Sequence, residues 1–438
     1  MLETTDRESF ASARGTHPHL ATGEEMYALI RGLFPICRSI TGDGVRQTLE
    51  VLEKHIPLTV SEVPTGTQVF DWIIPQEWNI RDAYIKNSRG TRVVDFKQSN
   101  LHVLNYSVPV RATMSREELR PHLVSIPQHP TWIPYQTSYY ARKWGFCVTD
   151  EQLRGLEEDQ YEVCIDSTLS DGHLTYGECY VAGATTDEIL VSCHVCHPSL
   201  CNDNLSGISV ATFLAREIAR QQRRYSYRFL FIPGTIGAIA WLARNRELAS
   251  RIKGGLVLSC VGDAGGFHYK RSRRGDANID RAMAQVLRYS GTPFELREFS
   301  PYGYDERQFC SPGFNLPMGC LSRSVWGEFP QYHTSADDLT FVEPAALAES
   351  LRVCVDVMDV LEHDRVYRNT NPYGEPALGR RGLYSGVTSE NLSRLWVLNL
   401  ADGDHSLLDI AERSGMNLAE IRTAVTELLD HGLLAEVE

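Results

Sequence analysis

An α/β fold is predicted, a mostly parallel mixed sheet with helices on both faces, and three observations predict it. From Tyr161 onward, short apolar runs rich in β-branched residues alternate with segments whose apolar residues recur at helical spacing. The helical pattern at Ile208–Arg224 follows a loop carrying His and Asp, and open α/β sheets place their ligands at the carboxyl ends of strands. Between about Val69 and Ile165 the texture changes to short runs broken by Pro, Gly and Asn, which marks a small β-rich domain nested in the larger one. The expected domains are therefore a core over 20–68 and 166–370, a nested β-rich domain over 69–165, and a winged-helix-like domain over 385–438.

The elements follow in chain order. Residues up to about His19 read as a loose tail, and Gly23–Phe34 and Val45–His55 as amphipathic helices around a turn-rich joint at Arg38–Gly44. The nested segment crowds aromatics, among them Trp72, Trp78, Trp132, Tyr135, Tyr139 and Trp144. Most serve as core, while the run Ile133–Tyr140, with Tyr135, is placed to overhang a cleft. Strands are expected at Tyr161–Ile165, Leu190–Cys193, Phe229–Pro233, Leu256–Cys260 and Met318–Ser322. Helices are expected at Ile208–Arg224, Ile236–Asn245, Ile279–Ser290 and Pro344–Glu362. Asn369–Gly386, rich in Pro and Gly, reads as a linker. Three short helical patterns, a Gly432 stop and a β tail at Leu433–Val437 then give a winged-helix silhouette.

Charge bounds the partners. A net charge of −13 over 438 residues lacks the basic face that nucleic acid or an anionic membrane would need. In the C-terminal block, acidic residues such as Asp402, Asp409, Glu420 and Glu427 outnumber Arg394, Arg413 and Arg422, the wrong sign for phosphates. That block is expected to pack on the core or a partner subunit, so a homo-oligomer is compatible. No apolar run reaches the length of a transmembrane span, and the polar opening Met1–Arg7 is not a signal peptide. The 11 cysteines are an odd number scattered through apolar elements, which suits a reducing, cytoplasmic compartment. The expected partner is a small-molecule or peptide substrate.

The chemistry concentrates in Ser192–Gly207 (SCHVCHPSLCNDNLSG), with Tyr332-His333-Thr334 far downstream. Two imidazoles, His194 and His197, and the Asp203 carboxylate fall within ten residues, and these are ligand types that zinc takes. Ser206 is expected to cap the following helix, setting Asp203 just ahead of the positive end of its dipole. Cys193 to His197 also spells the C-x-x-C-H of haem attachment, but that chemistry needs export.

These residues carry a resemblance. His194 with Asp203-Asn204-Leu205-Ser206-Gly207, and Tyr332-His333-Thr334 ahead of Asp337-Asp338, resemble the co-catalytic zinc aminopeptidases of the bacterial leucyl aminopeptidase type. Over nearly the full length the chain is similar to a bacterial family known as an aminopeptidase-like domain of uncharacterised function. The segments that match are Phe70-Asp71-Trp72, Glu77–Ala83, Trp144–Cys147, Ile165–Ser167, Cys196–Leu200 and Tyr332–Ser335. The resemblance implies an aminopeptidase core with a nested β domain and a C-terminal winged helix. It also implies His194 on one zinc, Asp203 bridging two and His333 on the second.

The sequence departs from the pattern where such enzymes carry a Glu that acts as base or ligand, because Gly234 stands in Ile232-Pro233-Gly234-Thr235. The later acidic position falls on Cys260 or Asp263, with Asp263 taken as a fourth ligand. One zinc ion is therefore expected, and Gly234→Glu is expected to raise metal content or peptidase activity if the chain is a degraded two-metal enzyme. Glu328, Tyr332 and Asp305 are the substitute catalytic candidates. His197, Tyr135 and Arg323 are the candidates for substrate contact, with His197 also a potential ligand. The function expected is zinc-dependent hydrolysis of an aminoacyl, peptidyl or N-acyl small molecule; the alternative is a non-catalytic metal- or ligand-binding scaffold.

Overall fold

The structure is a computed structural model that describes residues 20–384, 386 and 388–437; the tail up to His19 lies outside them. The described chain forms two compact units. The larger takes Ala21–Ala277 with Pro293–Arg352, and the smaller gathers Asn278–Thr292 with Val353 onward.

An eight-stranded sheet organises the larger unit: β1 (Thr59–Pro64), β2 (His173–Val181), β3 (Glu188–His194), β4 (Ser226–Ile232), β5 (Ile252–Leu258), β6 (Phe267–Lys270), β7 (Phe294–Arg297) and β8 (Met318–Ser322). Its spatial order is β1-β2-β4-β3-β5-β8-β6-β7. The four central strands β4, β3, β5 and β8 run parallel, while β2 and β6 flank them antiparallel. Every residue of β3 and β4 is buried, as expected for parallel strands covered on both faces. Gly255 in β5 permits this close packing, since a Cβ there would sit 2.2 Å from Met318 Sδ and 2.4 Å from the Leu190 carbonyl oxygen. The central strands fall where the apolar runs predict. The short strands β1, β6 and β7 carry no comparable run, because each is only partly buried.

Inserted between β1 and β2 is a four-stranded antiparallel sheet in the order Arg92–Asp95, Glu77–Lys86, Gln160–Ser170, Val110–Ser115. Trp78 anchors it, fully packed and donating its indole N–H to the Ser107 carbonyl at 2.8 Å. The Gln160–Ser170 strand runs across the 165/166 boundary drawn from sequence and leads directly into β2.

The smaller unit holds helices Ser389–Leu400, Leu407–Ser414 and Leu418–Asp430. Its sheet has the order Asp402–Ser406, Val366–Asn369, Leu434–Glu436. Its first strand therefore precedes the linker read from sequence. Helix Asn278–Arg288, assigned from sequence to the core alternation, belongs here instead: Arg281 pairs with Asp409 and Glu412, and Gln285 Nε2 donates to the Met416 carbonyl at 3.0 Å. Among the described residues no helix is long and apolar enough to cross a membrane. All 11 cysteines are unpaired thiols.

Candidate metal centre

β3 ends on His194, which is buried at the carboxyl edge of the parallel strands. The chain then doubles back through Val195–Leu200, and a buried cation holds it there. Arg38 Nε donates to the His197 carbonyl at 2.8 Å, and Ser199 Oγ donates to the Phe34 carbonyl at 2.7 Å. Cys201–Ser206 winds as an irregular turn in which Asp203 (φ −109°, ψ 84°) and Asn204 leave helical geometry. Ser206 does not cap the helix Gly207–Ile218. It is itself helical, and its hydroxyl donates to the Asn202 carbonyl at 2.7 Å while accepting from Val261 N at 3.0 Å. The serine is spent on joining the turn to the end of β5.

The irregular turn aims Asp203 at three imidazoles. Its Oδ1 lies 2.8 Å from His194 Nε2, and its Oδ2 lies 3.0 Å from His333 Nε2 and 3.8 Å from His197 Nε2. The ring centroids of His194 and His197 are 4.8 Å apart, and those of His197 and His333 are 5.2 Å apart. Ligand atoms of His194, His197 and Asp203 all fall within 4.8 Å of one another. Burial alone would raise the Asp203 pKa, but the imidazoles of His197 and His194 outweigh it and hold the carboxyl well below its usual range. Burial pushes His197 the other way, well below the ordinary imidazole value, so it is held neutral. Neutral imidazole and ionised carboxylate are the protonation states that a metal requires. Asp203 Oδ2 and His333 Nε2 are shielded from solvent and face each other at 3.0 Å, yet no well-aligned hydrogen bond joins them or ties either to another described residue. Buried polar atoms left this way are rare, and a cation between them would satisfy both. The donor set therefore fits a zinc-type ion.

Further residues fix this geometry. The Asp337 carboxylate accepts the backbone N–H groups of Asn202 at 2.6 Å and Asp203 at 2.9 Å, while burial raises its own pKa to about 8. Asn204 Nδ2 donates to the Leu258 carbonyl at 2.9 Å and lies 3.3 Å from His194 Nδ1. Tyr304 stacks on His194 with centroids 5.2 Å apart. Asn204 stands inside the run that carries the resemblance, but its role and that of Tyr304 exist only once β5 and the Gly303–Arg307 loop are folded beside the turn.

Beyond β4, Gly234 leaves a gap that another residue fills. A Cβ on Gly234 would lie 3.1 Å from His194 Cβ and 3.5 and 3.6 Å from the two carboxylate oxygens of Asp305. Asp305 is buried, neither oxygen has a hydrogen-bond partner among the described residues, and burial lifts its pKa to about 7. It lines a cavity of about 150 Å³ together with His194, His197, Tyr304 and Tyr332. At that cavity Tyr302 and Trp326 pack edge to face, 4.7 Å apart. Tyr332 stacks on His333 at 4.0 Å, and Tyr135 lies 5.1 Å from both His197 and His333. The nested segment also holds His333 by its backbone, through Tyr135 N donating to its carbonyl at 2.7 Å.

Three sequence candidates stand elsewhere. Asp263 is not with the imidazoles: its carboxylate accepts from Asn202 Nδ2 at 2.8 Å, Gly265 N at 2.7 Å and Ser324 Oγ at 2.7 Å, so it is consumed in building the loop. Glu328 makes a two-pronged ion pair with Arg297, at 2.6 and 2.8 Å, on the surface. Arg323 is turned onto Glu349 at 2.9 Å and the Phe267 ring, and it does not line the small cavity beside His194. Cys260, the other option for the later ligand, shares a contact of 3.3 Å with the Tyr304 hydroxyl.

A mixed α/β sheet with a His and Asp cluster at the carboxyl ends of its central strands defines the zinc-aminopeptidase-like class of fold. The Bacillus subtilis zinc aminopeptidase superposes with a TM-score of 0.56 at 13% identity, covering 78% of this chain and 94% of that one. An aminopeptidase from an Aneurinibacillus strain gives 0.50 at 14% identity, over 78% and 93%. The chain belongs to the family described as a domain of unknown function, DUF4910, which matches residues 27–364; a winged helix-turn-helix family matches residues 365–436. A Clostridium acetobutylicum protein is 51% identical over 93% of this chain and 95% of its own length, and bears the provisional name of a polysaccharide biosynthesis protein with an aminopeptidase-like domain. A crystal structure from the same organism, provisionally named a peptidase, has a TM-score of 0.92 at 51% identity over 95% and 96% of the two chains.

Proposed function

We propose that this protein is a hydrolase of the aminopeptidase type, dependent on one zinc ion, that cleaves an amide in an aminoacyl, peptidyl or N-acyl small molecule. The observation that carries this reading is the buried carboxylate of Asp203 facing three imidazoles, at 2.8 Å from His194, 3.0 Å from His333 and 3.8 Å from His197. An ion held by His194, His197, Asp203 and His333 would supply Lewis-acid polarisation of the scissile carbonyl. The chain supplies the rest. Asp305 stands where a side chain at position 234 would point, and acts as the base that takes a proton from the attacking water. The C–N bond breaks, the water oxygen joins the carbonyl carbon, and Asp305 returns the proton to the departing amine. Tyr135 and Tyr332 pack around His197 and His333 and limit water there. Tyr302 is 61% exposed and, with Trp326, offers an aromatic surface to the part of the substrate that projects from the small cavity.

Two names support the reading: that of the Bacillus subtilis zinc aminopeptidase, for the chemistry, and that of the Clostridium acetobutylicum relative, for a place in polysaccharide biosynthesis. The second reading, a binding scaffold without turnover, is favoured by the absence of a side chain at Gly234. Metal content by mass spectrometry, wild type beside Asp203→Ala, combined with hydrolysis of aminoacyl and N-acyl amides, separates the two. About one zinc per chain with turnover supports the enzyme. Zinc without turnover on any amide leaves the scaffold, and no zinc in the wild type after zinc is supplied refutes both metal readings.

A further inference from the structure

A second and larger cavity, of about 830 Å³, opens at the other end of the sheet. Its wall includes Ile252 and Lys253, the first residues of β5, and Leu316, just ahead of β8. Ile252 is in register with Glu188 at the start of β3, whereas His194 is at the end of that strand. The cavity is therefore separate from the candidate metal centre.

Its chemistry is unlike the rest of the surface. The chain carries a net charge of −13, yet Arg246, Lys253 and Arg274 line this cavity with Asp71 as the acidic residue of the wall, and the exposed Lys253 ammonium also lies 3.4 Å from Asp187. Neither Arg246 nor Arg274 has an ion-pair partner among the described residues; Arg274 Nε donates only to the Asn315 carbonyl at 2.9 Å. Guanidinium groups without a carboxylate suit a bidentate anion such as phosphate. Facing them is an aromatic wall. Phe70 and Phe314 meet edge to face at 5.8 Å, Arg246 lies 5.9 Å over the Phe70 ring, and Trp72 is 44% exposed. Phe70 has φ +55°, a left-handed backbone that is costly for a bulky side chain, and its ring is 42% exposed beside the cavity. The volume lies within the range of about 300–1,000 Å³ that small-molecule sites occupy.

We propose that this cavity binds a nucleoside diphosphate, with the diphosphate on Arg246, Lys253 and Arg274 and the base against Phe70, Phe314 and Trp72. Three cations match a diphosphate better than a single anionic group, and the rings give the planar base a stacking partner. Asp71 accepts from a ribose hydroxyl. The proposal is independent of the metal site.

The test is calorimetric titration of the full chain with ADP, GDP, CDP and UDP, and with inorganic pyrophosphate and uridine as fragments. At least one nucleotide is expected to bind with a Kd in the micromolar range, at least about tenfold tighter than either fragment. Arg246→Ala with Arg274→Ala should weaken it about a hundredfold or more. Phe70→Ala with Trp72→Ala should weaken the nucleotide about tenfold while leaving pyrophosphate unchanged. Asp203→Ala should bind as the wild type does. Absence of binding by all four nucleotides, equal binding of pyrophosphate alone, or unaltered affinity in the arginine variant with its thermal midpoint retained would each overturn the proposal.

Discussion

Replacing Asp305 with Asn keeps the shape of the side chain and removes the carboxylate that occupies the space beside Gly234. The two Asp305 oxygens lie 3.5 and 3.6 Å from the point where a Cβ on residue 234 would be, so one carboxylate, and not two, fits there. If that carboxylate moves the proton, its loss costs about 100-fold to 10,000-fold in kcat, or about 2.7–5.4 kcal/mol of barrier. The assay is steady-state hydrolysis of aminoacyl and N-acyl p-nitroanilides with zinc content measured on the same samples. Asp305→Asn should lose turnover and keep its metal, because the ligand set does not include it. Moving the carboxylate from one chain position to the other, in the double variant Asp305→Ala with Gly234→Glu, should recover part of the loss. Gly234→Glu alone should lower activity, since it sets two carboxylates against each other in a buried space. That reverses the gain expected from sequence, where the space appeared empty. Asp305→Asn turning over within about threefold of wild type would refute the assignment.

Asp203→Ala should abolish zinc binding, and His333→Ala should weaken it at least about tenfold; full zinc in either variant counts against the site. Arg228 is buried between Glu188 and Glu178, with Nε donating to Glu188 at 2.7 Å, so Arg228→Met should destabilise the larger unit by about 3–5 kcal/mol in urea unfolding. An unchanged urea midpoint would show that those carboxylates find other partners. In the smaller unit, burial would raise the Asp359 pKa, but His363 and Arg422 outweigh it and depress it. Hydrogen bonding to Asp359 raises His363. A depressed acid stabilises above its unfolded value of about 3.9, and a raised imidazole stabilises below its unfolded value of about 6.5. The combined contribution should thus be largest between about pH 4 and 6.5, declining on the acid side as Asp359 protonates and on the basic side as His363 deprotonates. Thermal midpoints across pH 3–8 should show that maximum in the wild type and a flatter profile in Asp359→Asn; matching profiles would remove the pair from the account.

The sequence by itself determined the architecture, because burial writes directly into residue type. β3 and β4 are enclosed on both faces and are therefore apolar throughout, and the alternation of such runs with helical spacing predicts a layered α/β sheet. His194, Asp203 and His333 were singled out through their resemblance to a zinc-aminopeptidase pattern, and the fold brings the three side chains together. Tertiary structure decided what depends on packing between distant segments. Asp263 and Asp305 are both acids in loops, and nothing local tells them apart. Three donors consume the first, whereas the second is folded, without a hydrogen-bond partner among the described residues, into the space that Gly234 leaves open. Glu328 and Arg323 looked available because their partners, Arg297 and Glu349, lie 31 and 26 residues away in sequence. The edge strands and the transfer of helix Asn278–Arg288 to the C-terminal unit were hidden likewise, since a half-exposed element carries no mark of which neighbour will cover it.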